Sequence, residues 1–167
     1  MPDTSDYLAR IRELAAAKDP LIAQAQAPAL IAKLIANTSA ERLTMRPAPD
    51  KWSISEILAH LAEDEIATAW RYRQMVEHSG IALAGFDQDL WARLGNYPAR
   101  DPHDSLALFR LLRSANLEFL RALSPEQWDC CGIHAERGSI TVRDLATHMA
   151  GHDANHVQQI QRILSSN

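Results

Sequence analysis

The amino-acid sequence predicts an all-α protein, an antiparallel four-helix bundle with extra short helical segments. Apolar residues recur at the three-and-four spacing of amphipathic helices over several long segments, which polar, proline-bearing breaks separate. No stretch shows the alternation of apolar and polar residues, with β-branched enrichment, that is typical of strands. The length of 167 residues fits one domain over residues 1–167, with a core large enough to fold without metal or disulfides.

One short and four principal helices are predicted, in chain order, at about residues 5–17, 21–35, 54–78, 105–122 and 142–164. The first is short and amphipathic. The second begins after Asp19, because the proline at position 20 fits the first turn of a helix. Pro28 lies inside the second helix and predicts either a kink or the start of a new helix there. Residues 37–51 then form the first long break.

Short capping motifs mark where the later helices begin. Ser53 is followed three residues later by Glu56, the pattern of a capping box ahead of an apolar run. Asp104 is the expected cap of the fourth helix. Thr141 caps the last helix, and Asp144 in its first turn supports it through the helix dipole.

The two long connections, residues 80–103 and 124–139, are predicted to be irregular. A connection as long as the first is usually functional or packs over the bundle. The second contains the only two cysteines, Cys130 and Cys131. They are interpreted as ordinary thiols near a loop, because adjacent cysteines rarely bridge each other.

Composition and charge disfavour two classes of partner. The net charge is −4 and Lys and Arg form no cluster, which disfavours nucleic acid, since phosphate binding requires local positive charge. No run approaches the roughly 20 apolar residues that span a bilayer, and the start of the chain lacks the apolar core of a signal peptide. A cytoplasmic protein without a membrane partner is expected.

The last helix carries three histidines at a repeated spacing of four: His148, His152 and His156. Side chains four residues apart lie on one helix face, so either adjacent pair suits a shared metal ion. All three cannot share one ion, because eight residues span about 12 Å of helix. The apolar stripe of this helix passes through His152 and His156 and leaves His148 at its edge. Two buried imidazoles need polar partners or a metal, since burying a polar group unpaired costs about 1–3 kcal/mol.

A third ligand must come from another helix, and His60 is the best candidate because it lies in an otherwise apolar part of the third helix. Asp64, one turn later, is expected to orient a ligand or to reach the ion through water. Three neutral nitrogen ligands with open positions are typical of a reactive site. Two alternatives remain open: histidines that only form hydrogen bonds in the core, and a surface face that binds metal adventitiously. His78 and His103, near helix ends, are expected to be solvated.

Two segments resemble the signatures of the DinB/YfiT-like superfamily of metalloproteins. The first, residues 49–65, includes His60, and the second, residues 138–160, includes His152 and His156. Their order and wide separation also match, so the resemblance covers nearly the whole chain. It implies a four-helix bundle in which these three histidines bind a divalent transition-metal ion.

The chemistry that the resemblance implies is broader. Some members resemble thiol-dependent transferases or isomerases, in which the metal activates the thiolate of a small cofactor thiol. The expected cofactors are therefore a divalent transition metal, with zinc and nickel as first candidates, and a low-molecular-weight thiol. The expected partner is a small-molecule substrate, and a homodimer formed through an apolar bundle face is a further expectation.

The leading hypothesis is a metal-dependent enzyme, a transferase or a hydrolase. Three side chains of the first long connection are candidates for a roof over the site: Trp91, Tyr97 and Arg100. Two arginines of the following helix are candidates for binding a carboxylate of a peptide-like thiol: Arg110 and Arg113. The alternative interpretation of each is a packing aromatic or a solvated charge. His148 is expected to support a ligand or to face the substrate. The alternative functions are a non-catalytic metal-binding or stress-response module and a helical structural protein with core histidines.

Overall fold

A computed structural model describes residues 4–16 and 19–166 and has the predicted class, a mostly helical four-helix bundle. The helices are α1 (Thr4–Ala15), α2 (Pro20–Ile35), α3 (Ala40–Thr44), α4 (Ile54–Glu77), α5 (Gln88–Leu94), α6 (Pro102–Arg121), α7 (Pro125–Trp128) and α8 (Val142–Ser165). The strands are β1 (Ile81–Leu83), β2 (Cys131–His134) and β3 (Gly138–Thr141), and a 3-10 turn covers Tyr97–Ala99. The long helices α2, α4, α6 and α8 form the bundle.

Two apolar clusters occupy opposite ends of α4 and α8. The first contains buried residues of all four long helices, such as Ile31, Leu58, Phe109 and Ile160. The second contains buried residues of α4, α6, α8 and the strands, such as Met75, Leu120, Ile140 and Leu145. Burying each side chain of this size stabilises the fold by about 1.5–3 kcal/mol. Between the clusters lies a layer of buried polar side chains from the middle of α4, α6 and α8.

Helix α1 crosses α8 at close range because Gly151 has no side chain. A Cβ atom at this position would clash with the backbone carbonyl and the side chain of Ile11, which is itself fully buried. The contact places Tyr7, one turn before Ile11, beside the histidine-bearing part of α8.

The local start signals of α4 and α8 act as predicted, but α6 begins earlier than predicted. Oδ1 of Asp101 accepts hydrogen bonds from the backbone N–H groups of His103 and Asp104, at 2.8 and 3.0 Å. Pro102 then takes the first helical position, where its missing N–H costs nothing. Asp104 therefore lies inside the first turn and is not the cap.

The predicted breaks contain more regular structure than expected. Helix α2 continues through the buried Pro28, so no new helix begins there, and α3 lies inside the first break. The connections at residues 80–103 and 124–139 contribute a three-stranded sheet, with β1 parallel to β2 and β2 antiparallel to β3. The sequence did not predict these strands, because three- and four-residue strands are too short to show alternation. Gly132 permits the sheet packing, since a Cβ there would lie 2.7 Å from Cγ of Leu83.

Some of the bundle's outer surface is apolar. Trp70 on α4 is 62% exposed and Leu111 on α6 is 71% exposed. Such side chains suit the apolar face that the predicted homodimer requires, and the dimer itself stays a prediction. Across the described ranges, no helix combines the length and the apolar character that crossing a bilayer demands.

Candidate metal centre

His60 of α4 meets His152 and His156 of α8 inside the bundle. The Nε2 atom of His152 lies 3.1 Å from Nε2 of His60 and 3.2 Å from Nε2 of His156. One ligand nitrogen from each residue lies within 4.8 Å of the other two, and all three side chains are buried. The structure thus brings together the three histidines that the sequence singles out, and metal binding by them stays a prediction.

The spacing of these nitrogens fits a bound cation better than it fits hydrogen bonds alone. A neutral imidazole nitrogen either donates one hydrogen bond or accepts one, so Nε2 of His152 can bond to only one of its two neighbours. The other contact leaves two buried nitrogens facing each other without a hydrogen bond between them. Two nitrogens bound to one metal at about 2.1 Å are roughly 3.0–3.4 Å apart. The two separations from Nε2 of His152 fall in this range, so the donor set fits a divalent ion.

Neighbouring side chains orient the three rings. Nδ1 of His156 lies 3.0 Å from Oε1 of Gln159, an acceptor that favours the tautomer with a free Nε2 lone pair. Nδ1 of His152 lies 3.8 Å from a carboxylate oxygen of Asp64 and 3.9 Å from one of Asp153, beyond hydrogen-bond length. The ring of His60 packs on Trp52 and is buried. The contact with Gln159 thus favours a neutral His156 that presents Nε2 towards His152.

Burial and neighbouring charges set the pKa of each histidine. Burial lowers the pKa of His60 well below its ordinary value, and His156 and His152 lower it further. Burial, and then His152, lowers the pKa of His156 to about 3. At His152 burial also opposes protonation, but the carboxylates of Asp153 and Asp64 outweigh it and raise the pKa. His60 and His156 are therefore neutral, the form of imidazole that binds metals.

The metal-free protein is expected to lose stability as the pH falls from about 6.5 towards 3. Burial is the main cause that lowers the pKa of both His148 and His156 to about 3 from the ordinary 6.5. Between these values the unfolded chain binds protons at both imidazoles and the folded protein does not, so acid favours unfolding. Each residue contributes up to about 1.4 kcal/mol per pH unit to the free energy of unfolding.

Urea unfolding of chelator-treated protein at several pH values between about 4.5 and 6.5 measures this slope. The variant His148→Gln is expected to flatten the slope by the contribution of one histidine. The same slope in this variant and in the wild-type protein would contradict the lowered pKa of His148.

Next to the histidines, Arg113 of α6 forms a buried network of ion pairs. Its guanidinium donates to Oε1 of Glu65 at 2.7 Å, to both carboxylate oxygens of Asp153, and to the backbone carbonyl of Gln24 at 3.0 Å. Asn116 donates to the other carboxylate oxygen of Glu65 at 2.9 Å. The network joins all four long helices. Arg113 faces the core and is not free to grip a substrate carboxylate, so that prediction was wrong.

The same argument that identified the histidines could have identified this network. Arg113 and Asn116 lie on the apolar stripe of α6, between Phe109 and Leu120 at helical spacing. A charged residue in such a position requires a buried partner of opposite charge. The sequence alone does not say which carboxylate that partner is.

The connection before α6 packs against one side of the site. Trp52 packs on His60 with ring centroids 5.0 Å apart, and Tyr97 lies behind Trp52 at 6.4 Å. Glu63 accepts a hydrogen bond from the Tyr97 hydroxyl at 3.0 Å and pairs with Arg100. Tyr97 and Arg100 thus support the wall that Trp52 forms.

The remaining candidates pack on other side chains or face solvent. Trp91 stacks on Phe86 with ring centroids 4.4 Å apart. Arg110 is exposed on α6, and His78 and His103 are exposed as predicted. The two neighbouring cysteines are free thiols of intermediate exposure.

A cleft of about 300 Å³ opens beside the histidines, between α1, α4, α8 and the hairpin of β2 and β3. Asp64 and His152 line its buried end, and the half-buried His148 lines it one turn away. Further polar residues line the cleft and were not predicted from the sequence, among them Tyr7, Arg71, His134 and Arg137. They come from separate elements and meet only in the folded chain, so no local pattern marks them.

Removal of a bound metal by a chelator is expected to leave the helices intact. The two apolar clusters hold the bundle together and include none of the three histidines. We therefore expect the far-UV circular dichroism to keep its helical signal, with only the loss of Tm that release of a ligand causes. Unfolding of the whole bundle on chelation would show instead that the ion is structural.

Curated relatives have names that refer to metal-dependent hydrolysis. "Putative metal-dependent hydrolase OB0782" of Oceanobacillus iheyensis is 25% identical over 134 residues, which cover 80% of this chain and 77% of that protein. "Putative metal-dependent hydrolase YfiT" of Bacillus subtilis is 23% identical over 113 residues, 67% of this chain and 64% of that protein.

Solved structures share the fold. YfiT from Bacillus subtilis, described as "a probable metal-dependent hydrolase with an unusual four-helix bundle topology", superposes with a TM-score of 0.80 at 20% identity, covering 86% of this chain and 83% of that one. A mycothiol-dependent maleylpyruvate isomerase superposes with a TM-score of 0.64 at 13% identity, covering 88% of this chain and 60% of that one. At these identities the likeness shows the fold alone.

The family is shown by the sequence itself. The sequence model of the DinB superfamily matches residues 23–160, well over half of the chain. The match contains all three histidines and both segments, 49–65 and 138–160, that carry the resemblance seen in the sequence. It confirms that resemblance. This chain belongs to the DinB superfamily.

Proposed function

We propose that this protein is a metal-dependent enzyme in which His60, His152 and His156 hold one divalent transition-metal ion, zinc or nickel, beside a cleft for a small-molecule substrate. The observation that carries the proposal is the position of Nε2 of His152, 3.1 and 3.2 Å from the other two Nε2 atoms and next to the cleft. No set of tautomers gives both contacts a hydrogen bond. The names of the curated relatives support the same interpretation.

Each residue around the ion has a task that its contacts suggest. A divalent ion held by imidazoles supplies Lewis acidity, which makes water or a thiol a better nucleophile near neutral pH. Gln159 holds the ring of His156 in place through Nδ1, and Trp52 shields His60 from water. Asp64 lines the cleft, and burial raises the pKa of its carboxyl group. A carboxyl group with a raised pKa exchanges protons more readily near neutrality, so Asp64 is the proposed general base.

Hydrolysis is the first reaction class that we propose, and thiol-dependent transfer or isomerisation is the second. The names of the curated relatives favour hydrolysis, with water as the nucleophile. The fold shared with a mycothiol-dependent isomerase favours the second, in which a low-molecular-weight thiol takes the place of water. A cleft of about 300 Å³ is at the small end of the usual range for ligand sites, which suits a small metabolite.

Activity assays with defined metal content test the proposal. Protein loaded with zinc or nickel is offered small esters and amides without thiol, and small electrophiles with reduced glutathione as the probe thiol. We expect turnover of one of these two substrate sets. This turnover should require bound metal. Asp64→Asn should lower kcat by about 100-fold or more with unchanged metal content, while His78→Ala should behave like wild type. Turnover that survives removal of the metal would contradict the proposal.

The same measurements distinguish the alternatives. A stoichiometric ion without turnover of either set would favour a non-catalytic metal-binding or stress-response module. Purified protein that binds no divalent ion would favour a helical structural protein. Sedimentation of the full chain tests the predicted homodimer separately.

A further inference from the structure

We propose that Arg71 and Arg137 form an oxyanion-binding subsite in the cleft beside the three histidines. This inference deepens the proposed function and rests on it: the small molecule that reacts beside His152 carries a carboxylate or a phosphate group, which the two guanidinium groups hold.

Arg71 is held in place at one wall of the cleft. It lies on α4, two helical turns after Asp64, and its side chain is half-buried. One nitrogen, Nη2, donates to the backbone carbonyl of Ala84 at 2.7 Å, and the guanidinium lies 5.5 Å from the ring centre of Phe86. These contacts orient the group without neutralising its charge. Other N–H donors of the guanidinium remain for a ligand.

Arg137 lines the same cleft from a different element of the fold. It lies in the turn between β2 and β3, and its side chain is also half-buried. Within residues 4–16 and 19–166, neither Arg71 nor Arg137 has a carboxylate oxygen within ion-pair distance. Burial, together with the nearby charges of Arg12 and Arg71, lowers the pKa of Arg137. Two partly buried cations near each other are costly unless an anion joins them.

The acidic groups near the pair have other contacts. Asp64 lies at the buried end of the cleft beside His152, where it is the proposed general base. Asp144 accepts hydrogen bonds from the backbone and the hydroxyl of Thr141 at the start of α8. Glu136 lines the cleft but is exposed to solvent. None of the three forms an ion pair with either arginine among the described residues, so the positive charge is available to a ligand.

Two other polar residues of the wall, His148 and Tyr7, are neutral near pH 7 and suit an anion. Burial, and then Arg137, lowers the pKa of His148 to about 3, so its imidazole carries no charge near neutral pH. Burial, and then Asp64, raises the pKa of Tyr7 to about 12, so its hydroxyl keeps its proton and can donate a hydrogen bond. The cleft thus has two cations and these neutral polar groups along its wall, with His152 and Asp64 at its buried end. A small molecule with an oxyanion at one end fits this polarity.

Calorimetric titration with succinate and with inorganic phosphate tests the inference, in a buffer free of other oxyanions. The proteins are wild type, Arg71→Gln, Arg137→Gln, the double variant and Arg110→Gln, which removes an exposed arginine of α6 outside the cleft. We expect each cleft variant to bind its preferred anion roughly 10-fold more weakly than wild type, because each loses a charge-assisted contact. Arg110→Gln should bind like wild type, and uncharged dimethyl succinate should not bind.

Two readouts separate this inference from the metal proposal. Zinc content is measured for every variant. The titrations are repeated on chelator-treated protein, in which no metal ion is present to bind the anion. Dependence on the two arginines that persists without metal supports the subsite. Equal anion affinity in the double variant and wild type, or no saturable binding to wild type, overturns it. If the wild-type protein binds no zinc, only the metal proposal is overturned, because the titrations of metal-free protein still measure anion binding.

Discussion

Replacing His156 with alanine is expected to abolish stoichiometric binding of a divalent ion. The change leaves two imidazoles of the three and opens a gap at the buried centre where their Nε2 atoms meet. Loss of a side chain that only hydrogen-bonds to a metal-binding residue already weakens metal binding by about 10- to 100-fold. Loss of a ligand itself should weaken it further, so that no ion survives desalting. Metal analysis of the purified, desalted protein measures the result directly.

Two matched variants make this experiment decisive. His78→Ala removes an exposed histidine at the end of the same helix that carries His60, and it should retain a full equivalent of metal. Gln159→Ala removes only the acceptor that orients His156, and it should weaken binding by about 10- to 100-fold without abolishing it. Equal metal content in the His156 and His78 variants would refute the assignment of the centre.

Replacing Arg113 with methionine is expected to destabilise the fold by about 3–5 kcal/mol, a large share of the stability of a domain of this size. The change leaves the carboxylates of Glu65 and Asp153 buried side by side without a counter-charge. Urea unfolding of metal-free protein measures the difference in the free energy of unfolding. Arg110→Met, on the exposed face of the same helix, should change it by no more than about 0.5 kcal/mol.

A further variant tests the cause of this loss. In the triple variant Arg113→Met, Glu65→Gln, Asp153→Asn, the two carboxylates are replaced by neutral amides, so much of the lost stability should return. If Arg113→Met alone costs less than about 1 kcal/mol, the network does not contribute as its burial implies.

Local sequence patterns determined the long helices and two of the three histidines of the candidate metal centre. Ser53 with Glu56 and Thr141 with Asp144 place the starts of α4 and α8, because a cap is satisfied by residues three positions apart. The pairing of His152 with His156 on one buried face follows from helix periodicity alone. These features were predictable because every group that they involve lies within one or two helical turns.

Only the tertiary structure decided what meets across the bundle. The approach of His60 to His152 spans 92 residues, and Arg113 meets Asp153 across 40. The short sheet pairs β1 with β2 over a separation of about fifty residues, and the cleft takes Arg71 from a helix and Arg137 from a turn. Such contacts depend on how the apolar faces of all the helices pack together. The sequence by itself determined which residues need a buried polar partner, and packing of the whole chain decided which partner each one meets.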